Sequence, residues 1–167
     1  IKSLMRPGSI IPMADVSGSM TAAGVMMHSI ALSILLAEIN KGPFQNRVLT
    51  FDTDPTCVSL EGSLYEKFEQ LFRAPWGAST HIWKAIDLIY HIIRENKIPP
   101  EEVPEWLAIF SDMQFDLAEG QEWSYTQGIL QKRHEDFNQE DWVVKRQWKY
   151  ENFRILFWNL RGDTSCR

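Results

Sequence analysis

Cysteine is scarce: the 167 residues include two, Cys57 and Cys166. They are too few for a disulfide framework and too far apart for a metal-ligand pair. Both read as free thiols, which fits a reducing compartment and an intracellular, cytoplasmic localisation. Long apolar runs are absent, since none approaches the ~20 residues needed to cross a bilayer, so no membrane is expected among the partners. The chain starts Ile1-Lys2-Ser3 without an initiator Met, and Asp15 interrupts the first apolar stretch too early for a signal peptide. It therefore reads as a fragment of a longer protein. Positive charge is in deficit: 17 basic residues against 22 acidic ones give a net charge of −5. That balance excludes a nucleic-acid binder driven by gross electrostatics. A phosphate-cradling Gly-x-x-x-x-Gly-Lys-Ser/Thr pattern is missing, as are internal repeats and low-complexity segments.

The residues present are those of an ordinary globular chain, 44% hydrophobic and 23% charged, which excludes wholesale disorder. The length suits one domain over residues 1–167, because domains most often run to about 100–150 residues. Seven tryptophans and nine phenylalanines supply bulky core material.

Hydrophobic spacing predicts strands and helices in alternation. Residues 9–14 suit a buried strand, although Pro12 removes a ladder donor and counts against a central position. Val25 to Ile39 is long enough for a helix and apolar on most faces, which predicts burial on both sides, with His28 a core histidine. Residues 47–51 and 56–60 flank Asp52-Thr53-Asp54-Pro55 and read as a strand pair joined by a turn. Residues 64–72 suit a short helix, and 75–78 a loop. Thr80 to Arg94 is the clearest helix: Ile82, Ala85, Ile86, Ile89, Ile92 and Ile93 share one face, and Lys84, Asp87, His91 and Arg94 the other. Residues 106–110 form a nearly continuous apolar strand of the parallel, doubly covered kind. Residues 121–150 are polar and partly helical, and 154–160 are the last strand.

This order predicts an α/β fold: a Rossmann-like, doubly wound, mostly parallel sheet with one antiparallel edge strand and helices on both faces. Ligands of such sheets bind beyond the carboxyl ends of the strands, where strand order reverses. Three polar clusters would meet there: Asp15-Val16-Ser17-Gly18-Ser19, then Ser79-Thr80, then Ser111-Asp112. Singly, the hydroxyls also fit helix caps and the aspartates fit turns. Together they make a hard-oxygen site suited to Mg²⁺ rather than zinc.

Asp15-Val16-Ser17-Gly18-Ser19 resembles the Asp-x-Ser-x-Ser signature of von Willebrand factor A (vWA) domains, which builds their metal-ion-dependent adhesion site. Thr80 matches that site's separate threonine, and Asp112 its final aspartate. The strings 111–116 and 157–160 look like an uncharacterised intracellular branch of the superfamily, similar to the A domain of the Ro ribonucleoprotein autoantigen. The resemblance covers nearly the whole chain, except that such domains usually continue to another strand and a C-terminal helix beyond Leu160. It implies that Ser17, Ser19 and Thr80 touch Mg²⁺ (or Mn²⁺ or Ca²⁺) through hydroxyls, while Asp15 and Asp112 act largely through bound water. It implies a non-catalytic module in which the ion engages a carboxylate of a protein partner. Asp52, Asp54, Asp116 and His81 are candidate rim residues. Two other readings stand beside it: a Mg²⁺-dependent phosphotransferase or phosphatase with Asp15 as nucleophile, and a ribonucleoprotein-associated domain touching RNA through Lys132-Arg133 and Lys145-Arg146.

Overall fold

Apolar β-prone runs between turn-forming residues become strands, and those in the middle of the sheet are buried on both faces. A computed structural model describes residues 10–18, 20, 24–74, 81–99, 102–112, 119–145 and 154–160 (backbone alone for 119–123, 125 and 126). The strands are β1 (Ile10–Ala14), β2 (Arg47–Thr50), β3 (Cys57–Ser59), β4 (Trp106–Ser111) and β5 (Arg154–Asn159). The helices are α1 (Val25–Ile39), α2 (Leu64–Phe72), α3 (Ile82–Asn96), α4 (Glu119–Asn138) and α5 (Asp141–Lys145). One five-stranded sheet has the order β3-β2-β1-β4-β5. It is parallel except for the antiparallel β2–β3 pair at one edge.

Side chains alternate between the two faces of the sheet. On one face Ile11, Met13, Leu49, Leu107 and Ile109 pack against Ile86, Ile89 and Ile93 of α3, with Phe137 of α4 and Val143 of α5 closing the layer. On the other, Ala14 and Val48 meet Ile30, Ile34 and Ala37 of α1 and Leu71 of α2. Burying each such Leu or Ile side chain is worth about 1.5–3 kcal/mol before entropy is counted.

The polar face of α3 is largely taken up by ties. Arg133 of α4 grips Asp87 with two bonds, Nε to Oδ1 at 2.6 Å and a second nitrogen to Oδ2 at 3.2 Å. Arg94 pairs with Glu140 at 2.8 Å. These ties locate α4, a polar helix that periodicity alone did not delimit.

Three expectations need correction. β1 is central, not peripheral, despite Pro12. The Asp15 N–H points to Phe110 of β4, so by alternation the Pro12 nitrogen faces β2, where pairing begins only at Met13. The outward face of α1 is exposed rather than covered, with Met27 at 51%, Leu35 at 55% and Ile39 at 56%. His28 is exposed with that face and is not a core residue. The expected loop at 75–78 lies outside the described residues.

Candidate functional site

β1 feeds α1 and then β2 on one side, while β4 pairs along its other side. The β1–β4 seam is therefore where strand order reverses, and the crevice beyond its carboxyl end is where such sheets bind ligands. Register pairs Ala14 with Phe110, so Asp15 and the Ser111-Asp112 step leave the sheet side by side.

Both aspartates are buried, Asp15 at 2% and Asp112 at 3% exposure. Asp15 is held from four directions. Its Oδ2 accepts from Ser111 Oγ at 2.5 Å. Its Oδ1 accepts from the Ser17 N–H at 2.9 Å. Its own N–H is shared between the Phe110 carbonyl at 3.0 Å and Ser29 Oγ at 3.1 Å. Ser29, buried on α1, in turn donates to the Phe110 carbonyl at 3.1 Å. Helix, first strand and fourth strand are thus locked at one point. Flanking strands close in on it: the Phe51 N–H donates to the Ala14 carbonyl at 3.1 Å and the Leu160 N–H to the Ser111 carbonyl at 2.9 Å.

Among the described residues no Lys, Arg or His forms an ion pair with Asp15. Buried carboxylates are ordinarily paired or coordinated, because desolvating a lone charge is costly. Among the described residues no three His, Cys, Asp or Glu side chains form a metal-ligand group. The donors at the seam are carboxylate and hydroxyl oxygens, the chemistry a hard cation such as Mg²⁺ prefers. Each Asp15 oxygen that accepts one protein donor retains a second lone pair, which can orient a bound water. The donor set therefore fits a hydrated divalent ion.

Of the sequence candidates, Asp15, Ser17 and Asp112 come together at this seam. Ser19, Thr80 and Asp116 lie outside the described residues. Asp15 does make the local turn bond to Ser17, but it also reaches Ser111, 96 residues away. Ser17 caps neither long helix, since the N-cap positions of α1 and α3 are Gly24 and His81. Gly24 sits at φ 74, a conformation favouring glycine.

The described rim candidates, Asp52, Asp54 and His81, make local contacts of their own. Asp52 Oδ1 accepts from the Thr53 N–H at 2.5 Å. Asp54, 85% exposed, pairs with Lys84 of α3 at 2.5 Å, so the β2–β3 turn is pinned to α3. His81 is half-buried, its ring 5.9 Å from that of Trp83. Of the basic residues considered for RNA, Arg133 is bound to Asp87 and Lys145 to Asp141 at 2.5 Å.

Sequence reasoning missed Ser29 and gave Ser111 no role of its own. The signal for Ser29 was a buried hydroxyl on a mostly apolar helix, where such groups usually find a partner, although Ser33 gives the same signal and bonds nothing among the described residues.

No solved structure significantly matches the chain. A protein of Acanthamoeba polyphaga mimivirus, described as uncharacterized protein L728, is 34% identical over 158 residues. The match covers 94% of this chain and 26% of the viral protein, so the chain spans about a quarter of that relative's length. Among the described residues no helix is long and apolar enough to cross a membrane. A family model described as Domain of unknown function (DUF7788) matches residues 9–167, and the chain belongs to that family.

Proposed function

We propose that this chain is a non-catalytic binding module of the vWA type, which holds a divalent cation at the β1–β4 seam and through it engages an acidic group of a protein partner. The observation that carries the reading is the pair Asp15 and Asp112. They are 2% and 3% exposed at the ends of adjacent parallel strands, and no described cation pairs with Asp15.

The residues that would hold the ion are Ser17, Ser19 and Thr80 through their hydroxyls, with Asp15 and Asp112 orienting its waters. Ser19 and Thr80 enter on the sequence resemblance alone. When bound, Mg²⁺ would supply an electrophilic coordination position that a partner carboxylate can fill. Hydroxyl donors suit this because they are neutral, whereas two directly bound carboxylates would cancel the ion's charge. Ser111 and Ser17 fix the Asp15 carboxylate so that its orientation is set before any ligand arrives. Engagement of both Asp15 oxygens by protein donors also favours a positioned acceptor over a nucleophile.

Calorimetric titration of Mg²⁺ or Mn²⁺ into wild type and Asp15→Ala tests the reading. Saturable binding is expected in wild type, weakened at least about tenfold in the variant, a difference of roughly 1.4 kcal/mol. Equal affinity in both removes the site. Capture of protein partners with and without chelator tests the second half, since recovery of the same partners in both removes the ion from the contact.

A further inference from the structure

Eight large hydrophobic side chains are exposed among the described residues, and six of them lie on one layer: Met27, Leu35 and Ile39 of α1, and Leu64, Tyr65 and Phe72 of α2. The opposite layer is closed by the chain itself, since α4 and α5 pack Phe137 and Val143 against the α3 core. Contiguous exposed apolar surface on one face of a globular chain marks an interaction site.

The pattern on α1 specifies the occupant. Met27, Ala31, Leu35 and Ile39, all exposed, recur every four residues. They form the i±4 ridge that interdigitates with its like at a crossing angle of about −50°. The ridge is also symmetric about position 33. Turned end for end, it places Met27 opposite Ile39 and Ala31 opposite Leu35. The flanking polar residues obey the same symmetry, because exposed His28 then falls opposite exposed Glu38. Glu38 is held ready at the helix edge by Lys67, whose Nζ donates to Oε1 at 2.8 Å. A two-fold interface requires this self-complementarity, in which residue i meets j and j meets i. Ala31 is small, so the helices can approach closely at the crossing.

We propose that two copies of the chain pair through α1, antiparallel about the turn of Ser33, with Ala31 of each copy facing Leu35 of the other and His28 of each facing Glu38. α1 starts at the sheet edge that carries Asp15, so the pairing points the two candidate metal sites in opposite directions. Such a dimer could bridge two acidic partners, although the pairing itself does not depend on the metal reading.

Sedimentation velocity on the 167-residue chain from about 1 to 100 µM should show a monomer–dimer equilibrium, in chelator as well as in Mg²⁺. Leu35→Asp should weaken it at least about tenfold, as should the second variant Leu35→Lys, with far-UV circular dichroism unchanged in both. Under mild oxidation, Ala31→Cys chains mixed with Leu35→Cys chains should cross-link, and Met27→Cys with Leu35→Cys should not. A monomer throughout, a dimer indifferent to both Leu35 substitutions, or cross-linking in the other register overturns the proposal.

Discussion

Ser111 donates its hydroxyl to Asp15 Oδ2 at 2.5 Å, joining residues 96 apart across the seam between β1 and β4. The bond satisfies a buried carboxylate oxygen, and losing it should cost about 1–3 kcal/mol. Urea unfolding should show that loss in Ser111→Ala and little of it in Ser111→Thr, which keeps the hydroxyl. Ion affinity should follow the same order if the carboxylate's orientation matters to binding.

Two buried serines on α1 offer an internal comparison. Ser29 bonds both the Asp15 N–H and the Phe110 carbonyl, whereas Ser33 Oγ is buried with no hydrogen-bond partner among the described residues. Ser29→Ala should destabilise by about 1–2 kcal/mol. Ser33→Ala should be neutral or stabilising, since it removes an unsatisfied hydroxyl and raises helix propensity by about 0.5 kcal/mol. Thermal unfolding should show a lowered Tm in Ser29→Ala and no fall in Ser33→Ala.

The elements that positioned this seam were legible because their signals are local. The apolar runs at β1 and β4 and the periodic stripe of α3 each state their own burial, so the carboxyl-edge position of Asp15 and Asp112 followed from strand ends alone; β5 is as apolar yet half-buried or exposed along its length. What was not legible depends on partners distant in sequence. Ser29 matters through the Phe110 carbonyl, 81 residues away. α4 is anchored by Arg133 on Asp87 together with Phe137 in the core, with no periodic apolar stripe along its length to announce its span. For α1 the apolar face was legible, but composition does not say whether the chain's own core or another molecule covers it.

The start of α2 carries a reciprocal cap. Ser63 Oγ accepts from the Glu66 N–H at 3.4 Å, and the Glu66 carboxylate accepts from the Ser63 N–H at 2.7 Å. Gly62, at φ 88, leaves room for that carboxylate, which an added Cβ would strike. Ser63→Ala should cost about 1 kcal/mol at neutral pH. The Ser63 backbone and hydroxyl hold the Glu66 carboxyl below its ordinary value of 4.5. A depressed carboxyl stabilises above its unfolded pKa and loses that contribution as pH falls through the folded one. The gap between wild type and Ser63→Ala should therefore narrow on acidification below about pH 4.5.

Cys57 on β3 should be a slow nucleophile. Burial pushes its thiol above the ordinary value, and the nearby Arg47 guanidinium offsets this only in part. Because the thiolate is the reactive form, peptide-level mass spectrometry should find Cys57 alkylated by iodoacetamide more slowly at pH 8 than an unstructured cysteine peptide. Denaturant should abolish the difference.

The ion reading makes an opposite-sign prediction for Asp112. On the ion reading, replacing a 3%-exposed carboxylate by a neutral amide of the same shape removes a desolvation cost, so Asp112→Asn should be at least as stable as wild type in chelator. With Mg²⁺ or Mn²⁺ the order should reverse, because a ligand that binds only the folded state stabilises it by about 2.7 kcal/mol at a hundredfold excess over Kd. For a chain of this size that is a rise in Tm of roughly 5–10 °C, present in wild type and absent in Asp112→Asn. A purely structural Asp112 predicts something else: a variant less stable than wild type by the same amount in chelator and in Mg²⁺. Melting curves of both proteins in both buffers decide between the two, since only an ion held at the seam makes the stability order depend on the metal.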